Sequence, residues 1–238
     1  MFWIGLIVGL FIGASIGLVT ACFCIQLKWE ISMTHTMAPP KIIKSPEVKY
    51  RFFTFGSQTL ELPQLELGNG SSIYILNILG GDPVVVKKLA HDLWLEFKHK
   101  YPLFEFDGFV TVEGKAIHFA YELAYQMNMP YVVLRKSWKK YFIGQPLTSQ
   151  IYQPITGSST QALYLDPKDV DLIRDKNLIF IDDVISSGAT LMATRELVRA
   201  AGGIITCALA LALEGECKPA LQIPHCYLTE LPVERSSI

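Results

Sequence analysis

Metal-ligand spacing is absent from this sequence. Its five cysteines, Cys22, Cys24, Cys207, Cys217 and Cys226, are odd in number and show no zinc-type pairing, and the first two lie inside an apolar stretch. They read as buried thiols in a reducing compartment. The five histidines, His35, His91, His99, His118 and His225, form no H-x-x-x-H pair and none joins the cysteines, so no protein-held metal is expected. An excess of one charge sign is also missing. The 21 Lys and Arg against 22 Asp and Glu leave a net charge of −1, which supplies no broad electrostatic footprint for nucleic acid. A small-molecule ligand is expected instead.

Residues 2–27 lack charge altogether. At about 1.5 Å per residue a helix of that length crosses the roughly 30 Å hydrocarbon layer, so residues 1–27 are expected to form a transmembrane anchor. A cleaved signal peptide is one alternative, and Val19-Thr20-Ala21-Cys22, similar to a bacterial lipobox, offers another; the basic n-region that both normally carry is missing. Lys28, Lys41 and Lys44 follow the span, which favours a single-pass membrane protein with its C-terminal domain cytoplasmic. Gly5, Gly9, Gly13 and Gly17 share one helix face; they provide a groove for self-association or reflect the ordinary frequency of glycine in membrane helices. A homo-oligomer is expected.

Pro39-Pro40 and Pro46 mark residues 28–47 as a linker. Residues 48–238 then hold one well-buried domain. Val48–Phe55 and Ser72–Leu79 read as strands, with Gly68-Asn69-Gly70 as the turn before the second and the leucines at 60, 62, 65 and 67 capping the domain. Pro83 opens a helix to about Lys100 with an apolar stripe of Val86, Leu89, Ala90, Leu93 and Phe97. Phe109–Val112, a helix through Met127 and Tyr131–Leu134 make a βαβ unit, which implies a parallel sheet. Residues 142–160 read as a long loop, Gln161–Leu165 as a returning strand, Ile204–Leu213 as the last core strand, and Tyr227–Leu231 as an edge or hood element. The fold class is α/β, with a doubly wound, mostly parallel sheet.

The chemistry centres on Leu178–Leu191. A short apolar run ends in Asp182 and Asp183, turns through Ser186, Ser187, Gly188 and Ala189, and enters a helix from Thr190 that Gly202-Gly203 stops. Strand, small-residue loop and helix leave unpaired amides at a positive helix end, which seats a phosphate. The two acids at the strand's carboxyl end suit sugar hydroxyls. Together they suit a sugar phosphate.

Ile179–Thr190 resembles the PRPP-binding motif of type I phosphoribosyltransferases. The resemblance covers roughly residues 75–215 and implies that Asp182 and Asp183 hold the ribose hydroxyls while Val184, Ile185, Ser186, Ser187, Gly188, Ala189 and Thr190 form the 5′-phosphate loop. Glu113, Gly114, Lys115 and Ala116 resemble the pyrophosphate loop of the adenine- and xanthine-type enzymes, with alanine where glycine is usual. Arg135, Lys136 and Lys139 resemble the basic segment before the mobile loop of the purine enzymes, here residues 142–160. The family implies a purine phosphoribosyltransferase, adenine favoured, with Mg²⁺ bound mainly through PRPP and with Asp182, Asp183, Lys115, Arg135 and Lys139 as catalytic groups. The competing reading is a non-catalytic PRPP-binding regulator at the membrane; a structural or adaptor protein is a third.

Overall fold

Strands buried on both faces read as near-continuous apolar runs, and residues 108–112, 178–181 and 207–213 of the central sheet do. The computed structural model describes residues 48–67, 69–78, 82–151, 161–215 and 222–235. In chain order, β1 (Tyr50–Phe55), β2 (Gln58–Glu66) and β3 (Ser71–Tyr74) precede helix α1 (Pro83–Lys100). Then come β4 (Gly108–Val112), α2 (Ile117–Met127) and β5 (Tyr131–Leu134), followed by the antiparallel pair β6 (Leu147–Ile151) and β7 (Gln161–Leu165). After a 3-10 turn at Pro167–Leu172 the chain forms β8 (Asn177–Ile185), α3 (Ala189–Ala200), β9 (Ile204–Glu214), β10 (His225–Leu231) and the short β11 (Glu234–Arg235).

The central sheet is parallel throughout, in the order β10-β9-β8-β4-β5. Side chains alternate between its faces. Phe109, Ile179, Ile181, Cys207 and Leu209 pack with Leu89, Leu93 and Phe97 of α1 and Phe119 and Leu123 of α2. Val110, Leu178, Phe180, Ala208 and Ala210 pack on the other face with Leu191, Leu197 and Val198 of α3. Each fully buried large side chain contributes about 1.5–3 kcal/mol. From β4 the chain steps outward to β5, then returns across β4 to β8 and steps outward the other way. That reversal opens a crevice between β4 and β8 at the strands' carboxyl ends, where open α/β sheets take their ligands.

Helix α1 starts where the sequence places it. The Asp82 side chain accepts from the Val84 amide (2.8 Å), Pro83 occupies the first turn, and Lys98, His99 and Lys100 meet the negative end. It is the longest described helix, at 18 residues, and Lys87, Lys88, Asp92, Glu96, Lys98 and Lys100 make it amphipathic. Among the described residues no helix is long and apolar enough to cross a membrane. The single-pass membrane location expected above is corrected accordingly: the charge-free stretch 2–27 that suggested it, and the linker 28–47, lie outside the described residues.

The leucine-rich strands do cap the domain. β1, β2, β3 and β11 form a separate antiparallel sheet in that order. Tyr227–Leu231 is an edge element as expected: it belongs to β10, the edge strand of the central sheet. One assignment changes, since β9 is therefore not the last strand of that sheet, and β11 is what completes the cap. Glu234 fastens it: Oε1 accepts from Arg51 Nη1 (3.0 Å) and Tyr74 OH (2.9 Å), and Oε2 accepts from Gln64 Nε2 (3.0 Å). Asp92 of α1 moors the β1–β2 turn by accepting from the Ser57 amide (2.8 Å) and hydroxyl (2.7 Å). Gly56 belongs there because its φ is +55° and a Cβ would strike the Asp92 carboxylate. Asp92→Ala is expected to lower the unfolding free energy by about 1–2 kcal/mol in urea titration while leaving ligand affinity unchanged.

Cys207 and Cys226 are free and buried, as expected. Burial pushes their thiols up to about 12 and about 11, which keeps them protonated and unreactive.

Candidate functional site

Two strand-to-helix junctions meet at the β4–β8 crevice. In the first, β8 passes through Ser186 and Ser187 into α3, and Gly188 serves as N-cap with φ +75°, a left-handed conformation that favours glycine. The Met192 amide bonds back to the Gly188 carbonyl (2.9 Å), so the amides of the first turn lie ahead of the helical ladder and point out of its positive end. Asp182 and residues 184–191 line a notch of about 30 Å³ at this point. Phosphate-sized anions suit such an end.

Asp182 and Asp183 do not act as a side-by-side pair. Successive strand residues leave on opposite faces, so Asp182 turns toward the α3 loop and Asp183 toward the cap. Asp182 is half-buried beside that loop, and its Oδ1 accepts from the Asp183 amide (2.9 Å). Desolvation, followed by the charge of Asp183, holds Asp182 well above the ordinary carboxylate range. Asp183 is 7% exposed, and its Oδ2 lies 3.0 Å from Lys115 Nζ.

Lys115 comes from the second junction, the turn Glu113–Ala116 between β4 and α2. Its ammonium also donates to the Leu76 carbonyl (2.8 Å), on the segment that connects the cap to α1. Ala116, where the resemblance put a glycine, is buried in ordinary right-handed backbone with φ −74°, so alanine fits without strain. The lysine thus bridges the acid and the cap.

The basic segment after β5 is partly neutralised from within. Glu113 Oε1 lies 3.5 Å from Arg135 Nη1 and 3.2 Å from Lys139 Nζ, and Oε2 accepts from the Lys136 amide (3.0 Å). Burial pushes the Glu113 carboxyl up, but the amide and the two cations outweigh it and hold it below its usual value. The Lys136 ammonium reaches over Gly114, whose Cβ would meet it at 3.6 Å, and its charge acts on Asp182. The expected loop 142–160 is in part ordered as β6, held to α3 by Ser149 Oγ donating to Glu196 Oε2 (3.2 Å); residues 152–160 lie outside the described residues.

Sequence reasoning missed Glu214. It ends β9, is 7% exposed, and senses both Lys115 and Asp183. A lone acid closing the apolar run Ile204–Leu213 was the available signal.

A helix end suited to a phosphate, acids on both faces of the neighbouring strand and a topological reversal make an α/β fold whose crevice suits a sugar phosphate. Comparison with known proteins sharpens that class. The model of the phosphoribosyl transferase domain matches residues 86–224. A hypoxanthine/guanine phosphoribosyltransferase of Methanothermus fervidus is 30% identical over 143 residues, 60% of this chain and 71% of that protein. An adenine phosphoribosyltransferase of Haemophilus ducreyi is 28% identical over 122 residues, 51% of this chain and 62% of that protein. The crystal structure of Saccharomyces cerevisiae adenine phosphoribosyltransferase superposes with a TM-score of 0.53 at 20% identity, over 62% of this chain and 81% of that one. The chain belongs to the phosphoribosyl transferase domain family and is an enzyme of the type I phosphoribosyltransferase kind.

Proposed function

We propose that this chain transfers the 5-phosphoribosyl group of PRPP to a ring nitrogen of a purine base and releases pyrophosphate. The observation that carries the reading is the crevice between β4 and β8, flanked by the start of α3 with Asp182 on one side of the strand end and by Asp183 with Lys115 on the other. The domain responsible is assigned to residues 48–238, acting as a homo-oligomer. In this reading Asp182 and Asp183 hold the ribose hydroxyls, Val184–Thr190 cradle the 5′-phosphate, and Glu113–Ala116 with Arg135, Lys136 and Lys139 receive the pyrophosphate.

Little covalent work falls to the protein. As C1 gains cationic character and pyrophosphate departs, the residues named hold the reactants in line and gather the developing negative charge. Glu113 keeps Arg135 and Lys139 aimed at the crevice before the ligand arrives. Mg²⁺ suits this site as an ion carried on PRPP oxygens, where it would neutralise leaving-group charge.

The base is tested by incubation with PRPP, Mg²⁺ and each of adenine, hypoxanthine, guanine and xanthine. Adenine is the first choice, and the relatives are divided between adenine and hypoxanthine/guanine enzymes. Formation of one nucleoside monophosphate is the expected result. PRPP binding without any nucleotide would leave the regulatory reading, which the Lys115–Asp183 pairing favours because it engages two of the proposed catalytic groups with each other.

A further inference from the structure

The Asp183 carboxylate is balanced in charge and incomplete in hydrogen bonding. It is 7% exposed and its Oδ2 lies 3.0 Å from Lys115 Nζ, yet among the described residues no group donates a well-directed hydrogen bond to that oxygen. The ammonium directs its bond elsewhere, to the Leu76 carbonyl at 2.8 Å. A buried carboxylate oxygen in that condition has room for a donor. Of the two partners only Lys115 is free to move, because its side chain is about one-third exposed while that of Asp183 is enclosed.

A sugar hydroxyl that donates to Oδ2 has to approach where the ammonium now stands. Moving the lysine aside leaves a carboxylate buried without its counter-charge, and that loss opposes the hydroxyl's gain. Ribose 5-phosphate carries nothing at C1 to offset it. PRPP meets the same loss, but its pyrophosphate gives the ammonium a new anion. An ammonium has three donors, so Lys115 can keep the Leu76 carbonyl while its other partner changes from carboxylate to pyrophosphate.

We propose that Lys115 sets the selectivity of the crevice among sugar phosphates: paired with Asp183 it bars the ribose seat to ribose 5-phosphate, and it yields to PRPP because the pyrophosphate draws it away. The proposal rests on the functional reading given above and adds to it a competition between two of the residues that reading employs.

The experiment measures dissociation constants calorimetrically for ribose 5-phosphate and for PRPP, each with Mg²⁺, on the wild type and K115M; methionine keeps an unbranched stem and removes the charge. K115M is expected to bind ribose 5-phosphate about fivefold more tightly, the scale of a partly exposed ion pair, and PRPP at least about tenfold more weakly. The two ligands thus move in opposite directions. A lysine that merely attracts anions would weaken both on removal, so ribose 5-phosphate binding that is unchanged or weaker in K115M overturns the inference and leaves the functional reading intact. A wild type that fails to bind PRPP overturns both.

A second measurement needs no variant. Ribose 5-phosphate is titrated into wild-type protein saturated with pyrophosphate and Mg²⁺. Two neighbouring anions repel, but a lysine already drawn to pyrophosphate has vacated Asp183, so the expected result is ribose 5-phosphate affinity raised severalfold, with pyrophosphate affinity raised equally by linkage. Affinity that is unchanged or lowered overturns the inference.

Discussion

Asp183→Asn is expected to reduce kcat/KM for PRPP by roughly a hundred- to a thousandfold, because in the proposed reading a charge-assisted hydrogen bond to the ribose is lost, a factor that corresponds to about 3–4 kcal/mol. The side chain is nearly inaccessible and holds Lys115 at 3.0 Å, and in the proposed reading it also accepts from the ribose. Asparagine keeps the shape and loses the charge. The fold should tolerate the change, since Lys115 is about one-third exposed and can turn to solvent, limiting the stability loss to about 1 kcal/mol. Steady-state kinetics paired with thermal melting separates the two effects. Wild-type turnover in a normally melting variant would remove the ribose assignment.

Asp182→Asn is expected to strengthen the ligand-free fold while abolishing protection by PRPP. A carboxyl whose folded-state value is raised, here by desolvation and then by the Asp183 charge, supports the fold fully below its unfolded value near 3.8. That support is lost as pH rises through the folded value. At neutral pH the wild type therefore carries a penalty that asparagine lacks. The variant should melt several degrees higher at pH 7, with the difference closing below about pH 4. A variant that melts lower than the wild type at pH 7 would mean that Asp182 is not under electrostatic strain. Sites that store such strain trade stability for binding.

The βαβ unit, the strand–loop–helix around Asp182 and Asp183, and the capping role of the leucine-rich strands were legible because each rests on local signals: periodicity, Pro83 at a helix start, Gly188 at a turn. Pairings made at a distance were not. Nothing in Tyr227–Leu231 says that it lies parallel to β9, and two residues, Glu234 and Arg235, are too few to announce β11. The site shows the same division. Its residue types were readable, but the divergence of the two acids depends on the pleat, the engagement of Lys115 with Leu76 depends on the cap's position, and Glu214 joins the group only once β9 lies beside β8. Glu113 is the instructive case: it read as part of a phosphate loop, and its observed contacts make it the counterion that organises Arg135, Lys136 and Lys139.

Glu234 and Arg51 meet across 183 positions of sequence. During synthesis the β1–β2 hairpin emerges early and must wait, one edge of its sheet unfinished, until translation has delivered β11. The parallel layer can collapse in the interval, but the N-terminal hairpin gains its clasp only when Glu234 clears the ribosome. A released chain truncated before Pro232 should therefore show a protease-sensitive hairpin above an already protected interior.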